Sequence, residues 1–340
     1  MKSIDQIAAE LQGYDPQALP AERVNQFLAQ LVLPISEQEN VGIFEALGRV
    51  LAEDVVSPIS VPPHDNSAMD GFAFDGAALG PAPLVLRNQG TAYAGKAWAG
   101  RVGPGECLKI MTGAIMPSGL DTVVPIEFVQ VDGDTVTVPP GVLKAGDNRR
   151  FAGEDLMAGQ AALRRGQTLG PAALGLLASL GLATVRVVRR ARVAYFSTGD
   201  EILSLGEAPR EGAVYDSNRY TVFGLLTRLG VEVIDLGVVS DEPARLEAAF
   251  REAATRADAI ITSGGVSMGE ADHTKAMMKQ LGDVAFWRIA MRPGRPMAVG
   301  RIEQDGRSAV LFGLPGNPVA VMVNFLAFVR PALQRLMGAQ

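Results

Sequence analysis

Cysteine is almost absent from this 340-residue chain. Cys107 stands alone, which excludes an internal disulfide and leaves the hallmark of an oxidising compartment missing. Histidine is nearly as scarce, and His64 and His273 are too few for a zinc site built on imidazoles. A basic excess is also missing: 37 acidic residues outnumber 31 basic ones, which withholds the overall attraction that most nucleic-acid binders use. No nucleic-acid partner is expected, and any anionic ligand must be held by local groups. No run of about eighteen apolar residues predicts a spanning helix. The start, Met1-Lys2-Ser3-Ile4-Asp5, meets an acid where a signal peptide would turn apolar. The expectation is a cytoplasmic protein with no membrane partner.

What is present is core material, with 48% hydrophobic residues spread over a length that usually divides into two or three domains. Residues 1–20 end at a proline and are expected to form a peripheral extension. Val24, Phe27, Leu28 and Leu31 then fall at i, i+3, i+4 and i+7, predicting a helix that stops near Pro34. A second short helix is predicted over 46–52. Between about 56 and 150, Pro-Pro, Gly-Pro-Gly, Asp-Gly and Pro-Pro-Gly punctuate short β-prone stretches, which predicts a β-rich module with tight turns. A helix from Pro171 to Gly181 leads into the alternating Val185-Arg186-Val187.

From Arg192 onward strands and helices alternate. Val193-Ala194-Tyr195-Phe196 precedes a helix over 217–229 with Gly230 as its stop, and a strand over 231–236 precedes a helix with Leu246, Ala249, Phe250 and Ala253 inward. The apolar Ala259-Ile260-Ile261-Thr262 and Val310-Leu311-Phe312 repeat the pattern. This alternation predicts an α/β multidomain protein whose C-terminal part is a doubly wound, mainly parallel sheet.

In such sheets ligands sit beyond the carboxyl ends of the strands, near exposed helix N-termini. Three loops have that address: Ser197-Thr198-Gly199-Asp200-Glu201, residues 263–272, and Leu314-Pro315-Gly316-Asn317-Pro318. Gly264 and Gly265 permit close backbone approach, and Ser263 and Ser267 add hydroxyl donors suited to phosphate oxygens. A single Gly-Gly pair by itself favours an ordinary βα turn; three such loops in one domain reverse that and favour a ligand. Glu201, Asp216, Asp241 and Asp272 lie close by, and hard oxygen donors beside a phosphate site suit Mg2+. Asp241 and Asp272 could instead cap the helices that follow them. Arg288, Arg292 and Arg295 flank Pro293-Gly294, forming either an oxyanion clamp or a solvated basic loop.

Taken together, Asp65-Asn66-Ser67-Ala68-Met69-Asp70-Gly71, Met111-Thr112-Gly113-Ala114, Gly153-Glu154-Asp155, Phe196-Ser197-Thr198-Gly199-Asp200-Glu201, Tyr215-Asp216-Ser217-Asn218-Arg219, the 263–272 loop and Leu314-Pro315-Gly316-Asn317-Pro318 resemble the molybdopterin molybdenumtransferase family, MoeA in bacteria and the gephyrin E domain in animals. They stand in the family's order across roughly residues 21 to 338.

The resemblance implies insertion of molybdate into adenylylated molybdopterin with Mg2+-dependent release of AMP. It implies a homodimer with a cleft between the α/β domain of one subunit and the β-rich domain of the other, which Asp70, Thr112 and Asp155 would reach across the interface, and a molybdopterin adenylyltransferase as a partner. It also implies four segments: an extension at 1–20, a discontinuous linker domain at 21–56 and 150–187, a β-rich domain at 57–149, and an α/β molybdopterin-binding domain at 188–338. By the same resemblance Asp70, Asp155, Glu201, Arg288 and Arg292 are the expected catalytic residues. Thr112, Ser197, Thr198, Gly199, Asp216, Ser263, Gly264, Gly265, Ser267, Arg295, Pro315, Gly316 and Asn317 are the expected substrate contacts, and Asp241 and Asp272 the expected metal ligands.

Many relatives carry lysines where this chain has its three arginines, an exchange that keeps charge but replaces a compact donor with a planar fork. Relatives usually continue into a small C-terminal β-domain, whereas this sequence ends at Gln340, which leaves either loss of that domain or truncation. Two other functions compete: a scaffold that binds without turnover, and the single-domain adenylyltransferase, which lacks the β-rich module.

Overall fold

A computed structural model describes residues 2–11, 13–266 and 272–340, with Asp272 described by its backbone alone. The chain divides into two compact units, Met1–Glu53 with Arg164–Gln340, and Asp54–Leu163.

The first unit is built on a six-stranded sheet in the order Glu232–Val239, Arg192–Thr198, Ala259–Ser263, Arg307–Leu314, Pro296–Gln304, Gly282–Arg288. The first four strands run parallel and the last two add an antiparallel hairpin. Alternation along the strands gives the sheet two apolar faces. Val193, Tyr195, Ile261, Val299 and Phe312 pack on one face beneath the helices Ala21–Leu31, Ser217–Leu229 and the 318–336 run. Ala194, Phe196, Ile260, Ala298 and Leu311 pack on the other beneath Pro243–Arg256 and Asp272–Leu281. Helices on both faces make this a doubly wound α/β fold.

The helix Ser217–Leu229 forms as its pattern predicts: Asp216 caps its start and Gly230, at φ 80°, ends it. Pro318–Leu336 is a continuous 19-residue helical run, apolar and long enough to cross a membrane by composition and length. Half of its apolar window is buried, and Val321, Phe325, Phe328 and Leu333 belong to the sheet's core, so it is a core helix.

Two expectations fail. Residues 46–52 form no helix: Gly48 turns the chain at φ 74°, and Val50 and Leu51 bridge to Thr168 and Val187. A local helical pattern loses there to pairing with distant backbone. Nor is the N-terminal segment peripheral. Ser3 and Gln6 form a reciprocal cap on the helix Ile4–Glu10, Ile7 and Leu19 are wholly buried, and Leu19 exchanges backbone hydrogen bonds with Arg288 and Ala290. The Trp287 indole donates to Tyr14 Oη at 2.8 Å. The strand Gln38–Gly42 pairs with Thr184–Val188 in the same unit.

The second unit holds a six-stranded, mostly antiparallel sheet in the order Thr122–Pro125, Gly71–Phe74, Glu106–Ile110, Leu84–Ala92, Thr135–Val138, Gln130–Asp132. Phe72, Phe74 and Cys107 fall on one face and Ala73, Leu108 and Ile110 on the other, each in its own core. This is the β-rich module that the turn-dense sequence predicts.

Candidate functional site

The order of the parallel strands creates a switch point. From Arg192–Thr198 the chain crosses to Glu232–Val239 on one side, then returns to Ala259–Ser263 on the other. The carboxyl ends of Arg192–Thr198 and Ala259–Ser263 therefore lead to helices on opposite faces of the sheet, and the crevice in which open α/β sheets take their ligands is expected beyond those ends. Ser197, Thr198 and Gly199 lie at one end, and Ser263, Gly264 and Gly265 at its neighbour, with Ser197 in register with Ser263. Ser263 is also in register with Leu314, whose carbonyl accepts the Gly264 N–H at 3.1 Å, so the third loop joins the other two.

Gly264 is required sterically. It sits at φ 95°, and a Cβ there would stand 2.4 Å from the Thr198 carbonyl oxygen. Only glycine lets the two loops touch.

Several buried polar atoms in this region have no partner among the described residues. The carboxylate of Asp216 uses Oδ1 to accept the Arg219 N–H at 3.0 Å, while Oδ2 has none. Asn218 donates to the Gly316 carbonyl at 2.8 Å and leaves Oδ1 unpaired. Thr198 Oγ1 and Ser240 Oγ are also unpaired. Buried polar groups are normally satisfied, so a concentration of orphans around one crevice marks a place that a polar ligand or ordered water completes. Asn218 belongs to the Tyr215–Arg219 motif but is not among the contacts expected from the sequence; its place one residue inside a capped helix is the signal that points to it.

The serine hydroxyls are placed differently from expectation. Ser197 and Ser263 are 1% and 3% exposed, and both hydroxyls are hydrogen-bonded to Tyr195 Oη, at 2.9 and 2.7 Å. Burial pushes the Tyr195 phenol well above its ordinary pKa. Asn317, expected on substrate, caps the final helix, its side-chain oxygen accepting from Val319 and Ala320. Pro315 is buried and Gly316 exposed beside it.

Asp241 does not cap the Pro243–Arg256 helix; Glu242 occupies that position, because Pro243 takes the first helical turn. The Asp241 N–H donates to Asp200 Oδ1 at 3.2 Å. Burial, followed by the charges of Asp200 and Glu201, raises the Asp241 carboxyl above its ordinary pKa. Such a concentration of hard oxygen donors has the chemistry of a Mg2+ site, although among the described residues no three ligating side chains converge closely enough to hold a metal ion. Ser267 and the Asp272 side chain lie outside the described residues.

Arg288 ends the Gly282–Arg288 strand, which runs in the same direction as Arg307–Leu314, so its loop leaves from the same edge as the glycine loops. Arg292 and Arg295 are exposed and Arg288 half-buried, and none of the three pairs with a carboxylate among the described residues.

In the second unit, Thr112 donates its N–H and its hydroxyl to Asp70 Oδ1, which holds that carboxyl below its ordinary pKa. Asp155 accepts from Arg150 at 2.6 Å, and Arg150 also pairs with Glu154. Asn66–Ser67 pairs with Arg149–Arg150, which brings the polar run 65–71 beside the Arg150 cluster.

Comparison with known proteins agrees with this architecture. Residues 19–181 match the MoeA N-terminal region (domain I and II), and residues 194–335 match the probable molybdopterin binding domain. The molybdopterin molybdenumtransferase of Haemophilus influenzae is 43% identical over 314 residues, covering 92% of this chain and 76% of that protein. That of Bacillus subtilis is 36% identical, covering 88% and 70%. The crystal structure of the molybdopterin biosynthesis moeA protein from Pyrococcus horikoshii OT3 superposes with a TM-score of 0.79 at 29% identity, over 95% of this chain and 80% of that one. With both regions matched in order and identity sustained over most of its length, this chain belongs to the molybdopterin molybdenumtransferase family.

Proposed function

We propose that the protein inserts molybdate into the dithiolene of adenylylated molybdopterin and releases AMP, yielding molybdenum cofactor, and that it does so as a homodimer. The observation that carries this proposal is the switch-point crevice, where three loops, a sterically required glycine and orphaned polar atoms meet on one edge of the sheet.

The Thr198, Gly199, Gly264 and Gly265 loops take the pyrophosphate, with backbone N–H groups in place of the basic patch that composition withholds. Arg288, Arg292 and Arg295 attract molybdate along the same edge, since none of the three pairs with a carboxylate among the described residues and a planar guanidinium suits an oxyanion. Asp241, with Asp272, would hold Mg2+, and Glu201 and Asp155 are the carboxylates that move protons. When bound there, Mg2+ would supply charge neutralisation for the phosphate. Asp70, kept ionised by Thr112, serves as a fixed negative charge.

The test is direct. Purified protein given adenylylated molybdopterin, molybdate and Mg2+ releases AMP in a molybdate-dependent manner, followed by chromatography. Nucleotide binding without molybdate-dependent AMP release would favour a binding protein and reject the enzyme. Chelation of Mg2+ is expected to stop release, and an unchanged rate after chelation rejects the metal assignment.

A further inference from the structure

Tyr195 is an anomaly in the core it occupies. Its ring packs with Val193, Ile261 and Phe312 on the inner face of the sheet, where phenylalanine would fill the same volume. The residue is 2% exposed, so its hydroxyl cannot be satisfied by bulk water. It is satisfied instead by two serines from neighbouring strands, Ser197 at 2.9 Å and Ser263 at 2.7 Å. The serines themselves are 3.2 Å apart, long for an O–H···O bond. The phenol is thus the shorter and better link between two strand ends that are 66 residues apart in sequence.

The location gives that link a consequence. These two strands flank the switch point, and their next residues are Thr198 and Gly264, whose loops are already in contact. On the other side of Arg192–Thr198 the ladder to Glu232–Val239 is irregular: register shifts between Tyr195 and Ser197, where Gly237 adopts φ 75°. Bulges of this kind loosen a strand edge and re-aim its residues. At that point the regular pairing holds only towards Ala259–Ser263, and the hydroxyl triangle reinforces it.

On the oxyanion-binding role proposed above for this crevice, we propose that Tyr195 is a positioning residue: by tying Ser197 to Ser263 it holds Thr198 and the Gly264–Gly265 turn at the spacing that accepts a tetrahedral oxyanion. Tyr195 does not touch the ligand. The unpaired Thr198 hydroxyl and the turn's backbone do. The oxyanion is either a phosphoryl group of the nucleotide or molybdate itself, since both present tetrahedral oxygens of similar reach.

Isothermal titration of the whole protein with inorganic pyrophosphate, and separately with molybdate, tests this. Tyr195→Phe is expected to weaken one of these oxyanions about fivefold to tenfold, because binding must then order a cradle that the phenol no longer holds in place, while the thermal midpoint stays within about 2 °C. The oxyanion that weakens is the one the cradle holds. Ser263→Ala is expected to weaken the same ligand, and the double variant no more than Ser263→Ala alone, because the two act through one link. Unchanged affinity for both oxyanions, strictly additive losses, a lowered midpoint with unchanged affinity, or no binding of either oxyanion by the unsubstituted protein each overturns the assignment. Oxyanion binding that responds as expected in a protein releasing no AMP would count against the proposed reaction alone, because titration does not depend on turnover.

Discussion

Thr112 donates both its backbone N–H and its hydroxyl to one oxygen of Asp70, each across 2.6 Å. The second carboxylate oxygen takes neither bond, so the pair fixes the group's orientation while leaving half of it open.

This arrangement sets a pH expectation. The hydroxyl bond, followed by the backbone bond, lowers the Asp70 carboxyl from its ordinary value. A depressed folded-state pKa means that the gain from ionisation is fully present above the unfolded value, roughly 3.9, and is lost only as pH falls through the lower folded value. Thr112→Val removes the hydroxyl and keeps the N–H. Asp70 should then titrate closer to the ordinary value by carboxyl NMR, with the acid limb of any Asp70-dependent activity moving up in pH; an unmoved titration curve would remove Thr112 from this role.

Asp216 combines a structural role with a proposed ligand role, and one substitution separates them. Asn caps a helix as well as Asp does, so Asp216→Asn should hold stability within about 0.5 kcal/mol, whereas Asp216→Ala should cost about 1 kcal/mol through the lost cap. The buried, unpartnered Oδ2 is what Asn removes. Nucleotide affinity is expected to fall about tenfold or more in the Asn variant, measured beside its urea-unfolding midpoint. Retained affinity would leave Asp216 as a cap only.

The N-terminal segment should behave as core. Ile7 is fully buried among the residues of the α/β sheet's inner face, and truncating it leaves a cavity. Ile7→Ala is expected to cost about 2–4 kcal/mol in chemical unfolding. Trp287, tied to Tyr14, provides the fluorescence signal. A loss below about 0.5 kcal/mol would show the segment to be dispensable.

Much of the α/β unit was legible because its signals are local. Val222, Leu225, Leu226 and Leu229 followed by Gly230 specify a helix and its stop within one window, and the observed helix is Ser217–Leu229. Residues 46–52 misled because the apolar spacing of a short segment does not reveal that Val50 and Leu51 have distant strand partners. The hairpin Gly282–Arg288 with Pro296–Gln304 is not legible in the sequence because the basic loop between its strands is too long and too irregular to signal a tight turn. For Asp241 the sequence leaves cap and metal ligand both open, because a carboxylate ahead of Pro243 fits either; that Glu242 takes the cap position and that Asp200 and Glu201 lie near Asp241 are decided by the folded chain.

The three loops at the carboxyl edge are visible in the sequence because glycine, proline and small hydroxyl residues follow apolar strands, and the alternation of those strands with amphipathic helices determines the fold class and the edge at which a ligand sits. Only the tertiary structure decided which loops adjoin. Strand order places Ser197 beside Ser263, turns both hydroxyls to Tyr195, and leaves Asp216, Asn218 and Thr198 with unpaired atoms. The physical reason is range: helix periodicity and turn chemistry are written within a few residues, whereas sheet pairing and the burial of a polar atom depend on chain segments brought together from far apart.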